Sequence, residues 1–195
     1  MSIHFLTNSY RTYDPRLGRA LCPVELDLGC GKGGLTLAMA ARFPDRLVLG
    51  VDVMLGRLRK IERKVEQRGL ANVELLRADN LDLVGYQLPD GCISRLHILC
   101  PDPWPKQRHR GRRLVTSDFL GRAARVLRPG GVLHLSTDEA EYIRFMQEAI
   151  APLPWFRPAD PAAALADVAD IRTEFEAQWL AQGRTVPHLA FVRTA

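Results

Sequence analysis

Apolar and polar positions along the chain alternate between two periods. Short apolar runs at Val24–Leu28, Leu47–Val51, Val73–Arg77, Leu96–Cys100 and Val132–Thr137 read as buried strands. Helical patterns lie between them. Leu35–Arg42 is rich in helix formers, and Met54, Leu58, Ile61 and Val65 recur at helical spacing on an otherwise basic segment. Ser117 is a candidate N-cap for a helix carrying Leu120, Ala123 and Leu127, which Pro129-Gly130-Gly131 stops. Glu139–Ile150 reads as a helix with Tyr142, Phe145, Met146 and Ala149 inward. Pro152, Pro154, Pro158 and Pro161 punctuate the next stretch, and a last apolar run lies near Leu189–Val192. Strands separated by helices build parallel β-α-β units. The pattern therefore predicts one α/β domain over 1–195, a doubly wound, mostly parallel sheet with helices on both faces.

Composition agrees with a globular domain: 195 residues, 47% apolar and 25% charged. No apolar run approaches the length of a membrane span and no secretory leader is evident, so a cytoplasmic protein is expected. The four cysteines, Cys22, Cys30, Cys92 and Cys100, form no CxxC pair, which speaks against a zinc site or a disulfide framework. Twenty-seven basic against 22 acidic residues give a net charge of +5, a mild excess compatible with a polyanionic partner. Neither a monomer nor a homodimer is favoured.

Open sheets of this kind bind ligands beyond the carboxyl ends of their strands. After the first predicted strand comes Asp27-Leu28-Gly29-Cys30-Gly31-Lys32-Gly33-Gly34, where Gly29, Gly31 and Gly33 permit a tight turn and close approach to a ligand. After the second stands Asp52, placed to accept from ribose hydroxyls. A dinucleotide site has similar logic, and Gly34 completes a loose G-x-G-x-x-G. Asp27 separates the readings, because a carboxylate beside the loop repels a pyrophosphate and suits a sulfonium or an ammonium. The loop resembles the first motif of class I S-adenosylmethionine-dependent methyltransferases, in which Asp79 would lie near the adenine.

The fourth predicted strand runs into Pro101-Asp102-Pro103-Trp104-Pro105-Lys106. Three prolines fix a rigid turn holding Asp102 and Trp104 at the ligand edge. Lys106, Arg108, Arg110, Arg112 and Arg113 then follow with no acid among them, a density that reads as phosphate contact. This stretch closely resembles the signature of bacterial tRNA (guanine-N7)-methyltransferases. The resemblance extends to Ser136-Thr137-Asp138 and Thr173-Glu174-Phe175-Glu176 and covers Val24 to Val192.

The resemblance implies a Rossmann-like class I methyltransferase fold, with 1–22 as a short N-terminal arm and 151–186 as an insertion on the substrate side. It implies that Asp27, Gly29, Gly31, Gly33, Asp52 and Asp79 bind S-adenosyl-L-methionine. Asp102 becomes the active-site aspartate, also close to the cofactor. Lys106, Asp138, Thr173, Glu174, Phe175 and Glu176 become substrate-binding positions, joined by Arg108, Arg112 and Arg113 from the basic run. The implied reaction methylates a guanine N7 in the variable loop of tRNA, with no metal. Asp138 and Glu176, being acids, suit either a guanine edge or an arginine to be held in place. Asp27 and Asp52 stand where the family commonly has Glu, and Cys100 where it has Phe. Arg11, Arg16 and Arg19 are the N-terminal candidates for tRNA contact. His97 and His134 read as hydrogen-bonded core histidines, Trp155 and Trp179 as packing anchors, and His109 has no assigned role. Three alternatives stay open: methylation of an exocyclic base amine, a non-catalytic RNA-binding protein on this scaffold, and a nicotinamide oxidoreductase.

Overall fold

The computed structural model describes residues 3–7, 11–16 and 22–195, so Arg19 lies outside the described residues. Eight strands form one sheet: β1 (Ile3–Phe5), β2 (Val24–Leu28), β3 (Leu47–Val51), β4 (Val73–Arg77), β5 (Ile93–Leu99), β6 (Leu127–Ser136), β7 (Phe156–Ala159) and β8 (His188–Arg193). Their order is β1-β4-β3-β2-β5-β6-β8-β7. β8 runs antiparallel to both its neighbours, and the other pairings are parallel. Strand order reverses between β2 and β5, which opens a crevice beyond Leu28 and Leu99. The α-helices are α1 (Gly34–Arg42), α2 (Leu55–Gln67), α3 (Asn80–Asp82), α4 (Ser117–Val126), α5 (Ala140–Ile150), α6 (Pro161–Ala164) and α7 (Glu174–Ala181), with further helical segments at Leu83–Gln87 and Gln107–Arg112. Among the described residues no helix is long and apolar enough to cross a membrane.

Alternation along the strands sorts side chains between two cores. Leu26, Leu49, Leu96, Ile98 and Leu133 pack with Phe119 of α4 and Tyr142 of α5. Val48 and Leu75 face the other way, onto Leu58, Ile61 and Val65 of α2. On that second face the central strands also carry Glu25, Asp27, Arg95, His97 and His134, all buried. Polar groups in such a place must be paired or hydrogen-bonded, and these are: Glu25 pairs with Arg95, Asp27 accepts from Thr36, and His97 contacts Glu25 and His134.

The structure departs from the sequence pattern at several points. Met54 is half exposed and precedes α2 rather than joining its buried stripe. Thr116, not Ser117, caps α4: its Oγ1 accepts from Phe119 N at 3.3 Å, while Ser117 Oγ donates to the Ala149 carbonyl at 2.8 Å. α4 ends at Val126 and β6 begins at once, so Pro129-Gly130-Gly131 falls inside the strand, beside a register shift between Ile93 and Arg95. Residues 151–186, expected as an insertion on the substrate side, contribute to the sheet and to the core. Phe156–Ala159 joins the sheet beside β8, and Leu165, Val168 and Ile171 are buried in the second core. Of the two tryptophans read as packing anchors, Trp155 is 44% exposed with its ring beside Gly121, and Trp179 is half-buried.

Candidate functional site

The turn after β2 carries three left-handed residues, Gly29, Gly31 and Gly33. At Gly33 a side chain is excluded twice, by its φ of +80° and because a Cβ would lie 2.8 Å from Ile61 Cγ1. Gly34 opens α1, and a Cβ there would come within 2.6 Å of Glu174 Oε2. The first turn of α7 therefore closes directly onto the glycine loop.

Asp27 is buried beneath the loop, where Thr36 Oγ1 donates to its Oδ2 at 2.6 Å. Burial pushes its carboxyl up; the Thr36 bond opposes this and the Glu174 carboxylate adds to it. Asp52 accepts from Met54 N at 2.7 Å and from Arg57 Nη1 at 3.2 Å. Asp79 caps α3, its Oδ1 accepting from Leu81 N at 2.8 Å and Asp82 N at 3.2 Å. Asn80 was not anticipated. Its Oδ1 is buried without a hydrogen-bond partner, and its Nδ2 is the nearest atom to a Cβ built on Gly29. The sequence signal was its position directly after Asp79, beyond the end of β4.

Two cavities meet at the crevice. One, of about 480 Å³, is lined by Asp52, Asp79, Asn80, Trp104 and Arg112 among others. The second, of about 320 Å³, runs along Asp27 and the glycine loop to Thr173, Glu174, Phe175 and Gln178. Asp102, Cys100 and Arg57 border both. Arg57 had no sequence signal beyond the basic character of its helix.

Asp102 is exposed, midway between two strained residues. Cys100 has φ of 48° and Trp104 of 43°, left-handed values that cost a non-glycine residue about 1–2 kcal/mol each. Cys100 N donates to the Ser136 carbonyl at 2.8 Å, which anchors the start of the turn. The Cys100 thiol, pushed up to about 11 mainly by burial, is a neutral group at the start of the turn.

The basic run divides in two. Lys106, Arg108 and Arg112 are exposed around the short 3-10 helix Gln107–Arg112. The Arg112 guanidinium sits 5.1 Å over the Trp104 ring, and Arg108 Nε donates to His109 Nε2 at 3.2 Å. Arg113 is buried instead. Its guanidinium engages Glu141 and the Pro103 carbonyl and its side chain is fully buried, so it holds the turn and does not face solvent where a phosphate would lie. Arg110 also reaches Glu141, at 3.1 Å.

The two later acids hold arginines. Asp138 pairs with Arg184 at 3.0 Å, and Arg184 stacks on Trp179 at 3.8 Å. Glu176 is buried and pairs with Arg172 at 3.1 Å. Thr173 caps α7, Oγ1 accepting from Glu176 N at 3.1 Å, and Phe175 is exposed against the Trp179 edge. At the N-terminus, Arg16 pairs with Asp14 at 3.1 Å and Arg11 is exposed. His97 and His134 are hydrogen-bonded core histidines, as expected. Among the described residues no cluster of His, Cys, Asp and Glu is placed to hold a metal ion.

A family model described as "Putative methyltransferase" matches residues 22–189. A tRNA (guanine-N(7)-)-methyltransferase of Treponema pallidum (strain Nichols) is 37% identical over 181 residues, 89% of this chain and 68% of that protein. One of Marinobacter nauticus is 35% identical over 173 residues, 88% of this chain and 73% of that one. Among solved structures, the 16S rRNA methyltransferase KamB superposes with a TM-score of 0.63 at 22% identity, covering 89% of this chain and 88% of its own. An rRNA methylase from Streptococcus thermophilus gives 0.58 at 17% identity, covering 89% and 88%. The shared architecture is the class I methyltransferase fold.

Proposed function

We propose a division of labour among these residues from one premise: the chain belongs to the tRNA (guanine-N7)-methyltransferase family. Its reaction is methylation of a guanine N7 of tRNA, with S-adenosylmethionine as donor. The orphaned Asn80 acceptor, beside Asp79 and Asp52, fits the adenosine end of that cofactor. Asp27 and Glu174, with the glycine loop, fit its ammonium end. When bound, the cofactor supplies an electrophilic methyl group on a cationic sulfonium.

The observation that carries the active-site assignment is the place of Asp102, on a strained turn at the junction of the two cavities. Guanine N7 is an acceptor with a free lone pair and carries no proton, so no general base is needed. The chain's task is to orient the base and to stabilise positive charge arriving on the purine, and a carboxylate at this junction serves both. Trp104 offers a face for stacking the base edge-on to Asp102, while Lys106, Arg108 and Arg112 bind phosphates. We place the target guanine in the variable loop, and a tRNA substrate places the enzyme in the cytoplasm.

The test is methyl transfer from labelled S-adenosylmethionine to unmodified tRNA, then borohydride reduction and aniline cleavage. Scission at one variable-loop guanine is expected, because a ring cationic at N7 is selectively labile. Label without scission would move the reaction to an exocyclic amine. Absence of both transfer and cofactor binding would leave an RNA-binding protein.

A further inference from the structure

A hydrogen-bonded row of side chains crosses one face of the sheet. Glu25 Oε2 lies 3.1 Å from His97 Nε2, and His97 Nδ1 lies 2.9 Å from His134 Nδ1. His134 Nε2 lies 2.8 Å from His188 Nδ1, and His188 Nε2 lies 3.2 Å from Glu176 Oε1. The row starts on β2, passes through β5, β6 and β8, and ends on the first turn of α7. All of it is buried except His188, which is half-buried.

Counting protons shows what the row requires. Each of its four contacts needs one hydrogen between two acceptor-capable atoms. Ionised Glu25 and Glu176 bring none, and three neutral imidazoles bring three. The fourth hydrogen makes one imidazole a cation. His134 is the wrong host, because burial first, and then His97, His188 and Arg95, hold it well below the ordinary histidine range.

The two ends differ in their surroundings. Glu25 already faces Arg95 at 2.9 Å and Arg46 at 2.9 Å, and both guanidiniums share Asp167, so two acids meet two bases there. His97 is fully buried, in register with Asp27, whose carboxyl burial pushes up, so an imidazolium costs most there and least at half-buried His188. At the other end Glu176 faces Arg172, with Glu174 on the same turn. The Asp138 carboxylate and the neutral Cys100 thiol are the next titratable groups, and Asp138 is paired with Arg184. The segment covering the row contributes apolar groups, Pro161, Leu165 and Val168.

We propose that His188 carries the fourth proton and, as an imidazolium, is a positioning residue that fixes Glu176 and with it the first turn of α7 against the glycine loop. His134 keeps His188 Nδ1–H engaged, and His97 and Glu25 keep His134 in the matching tautomer. Loss of the proton leaves two lone pairs facing each other at the least buried contact, between His188 and Glu176. Thr173, Glu174 and Phe175 then lose their fixed place in the cavity wall. The effect on ligand binding rests on the reading of that cavity as the ammonium end of the cofactor site.

Two measurements on the full chain test this. The first is calorimetric S-adenosylmethionine affinity from about pH 6 to 8.5 for wild type, His188→Gln and His188→Leu. Wild-type affinity should fall with rising pH, approaching about tenfold per pH unit once the proton is lost. His188→Gln, whose amide still donates to Glu176, should bind within about threefold of wild type at low pH and show no such fall, and His188→Leu should bind weakly throughout. The second is long-range proton–nitrogen NMR of the histidine rings, which should show one doubly protonated ring at about pH 6.5 that is absent from His188→Gln. Three neutral rings in the row, or a His188→Gln profile matching wild type, would overturn the proposal. If wild type binds no cofactor at any pH, the cofactor reading fails separately, and the ring spectra alone decide the proton's place.

Discussion

Arg113 and Glu141 form a two-point ion pair, with Nη1 3.0 Å from Oε1 and Nη2 3.1 Å from Oε2, while the arginine's Nε donates to the Pro103 carbonyl at 2.9 Å. One guanidinium thus ties the first turn of α5 to the turn that carries Asp102. It also lies 4.9 Å from the Tyr142 ring and 5.0 Å from that of Phe145, which fixes it from below. Geometry of this kind makes Arg113 a part of the scaffold, whereas Lys106, Arg108 and Arg112 are exposed.

Two substitutions separate those roles. Arg113→Ala should lower the thermal midpoint by several degrees and depress turnover, with an unchanged slope of log tRNA affinity against log salt. Arg112→Ala should leave the midpoint alone and flatten that slope by about 1, the signature of one lost phosphate contact. Melting curves and binding at several salt concentrations check both, and equal slopes for the two variants would contradict the division.

The strands and the ligand edge were legible because a sheet covered on both faces writes itself as apolar runs, and the residues following each run fall at one edge. Asp27, Asp52, Asp79 and Asp102 were picked out that way, and each lines one of the two cavities. What escaped depends on partners distant in sequence. Nothing local distinguishes Arg113 from Arg112; the difference is Glu141, on another helix. β7 was masked by Pro158, which an edge strand tolerates where a central one does not. His97 and His134 face each other only because β5 and β6 pair in that register, and the row they join has no signature along the chain. Asn80 needed the cavity to show that its acceptor is left open.

Glu25 links pH to stability. Burial alone would raise its carboxyl, but the hydrogen bond from His97 and the Arg95 guanidinium outweigh that and lower it from 4.5 to about 2. Asp167 is held below the carboxylate range by Arg95, and further by Arg46. A depressed carboxylate contributes stability above its unfolded value and loses it as pH falls towards its folded one. Stability should therefore drop between about pH 4.5 and 2 as Asp167 and Glu25 take up protons and the 160–171 segment comes off the sheet. Glu25→Gln should lose about 3–5 kcal/mol at neutral pH, because Arg95 keeps its charge in a buried place. Its acid slope should be shallower than that of wild type, and denaturant titrations from pH 5 down to 2 would show it.

Asn80 makes a different demand. A buried carbonyl oxygen with no partner costs stability in the free protein, and it is repaid only when a donor arrives. Asn80→Ala should therefore bind S-adenosylmethionine about tenfold more weakly while melting no lower than wild type. Calorimetry and a thermal scan on the same sample decide it. A lowered midpoint with unchanged affinity would make Asn80 a packing residue.

Asp102 is where the functional reading is most exposed to test. It borders both cavities, so two roles compete: holding the cofactor, or serving the base in the transition state. The substitution Asp102→Asn keeps the shape and one acceptor and removes the charge. If the charge matters as the purine becomes cationic, the loss appears only in the transition state, and turnover should fall about 100- to 1000-fold. Cofactor affinity, measured by calorimetry, should stay within about threefold, because ground-state contacts survive the change. Losses of equal size in both would instead make Asp102 a cofactor ligand and leave charge stabilisation to some other group. Because Arg113, bonded to the Pro103 carbonyl, and the Cys100 N bond to the Ser136 carbonyl hold the turn, the substitution should leave its geometry intact, so the comparison of turnover with affinity reads the charge alone.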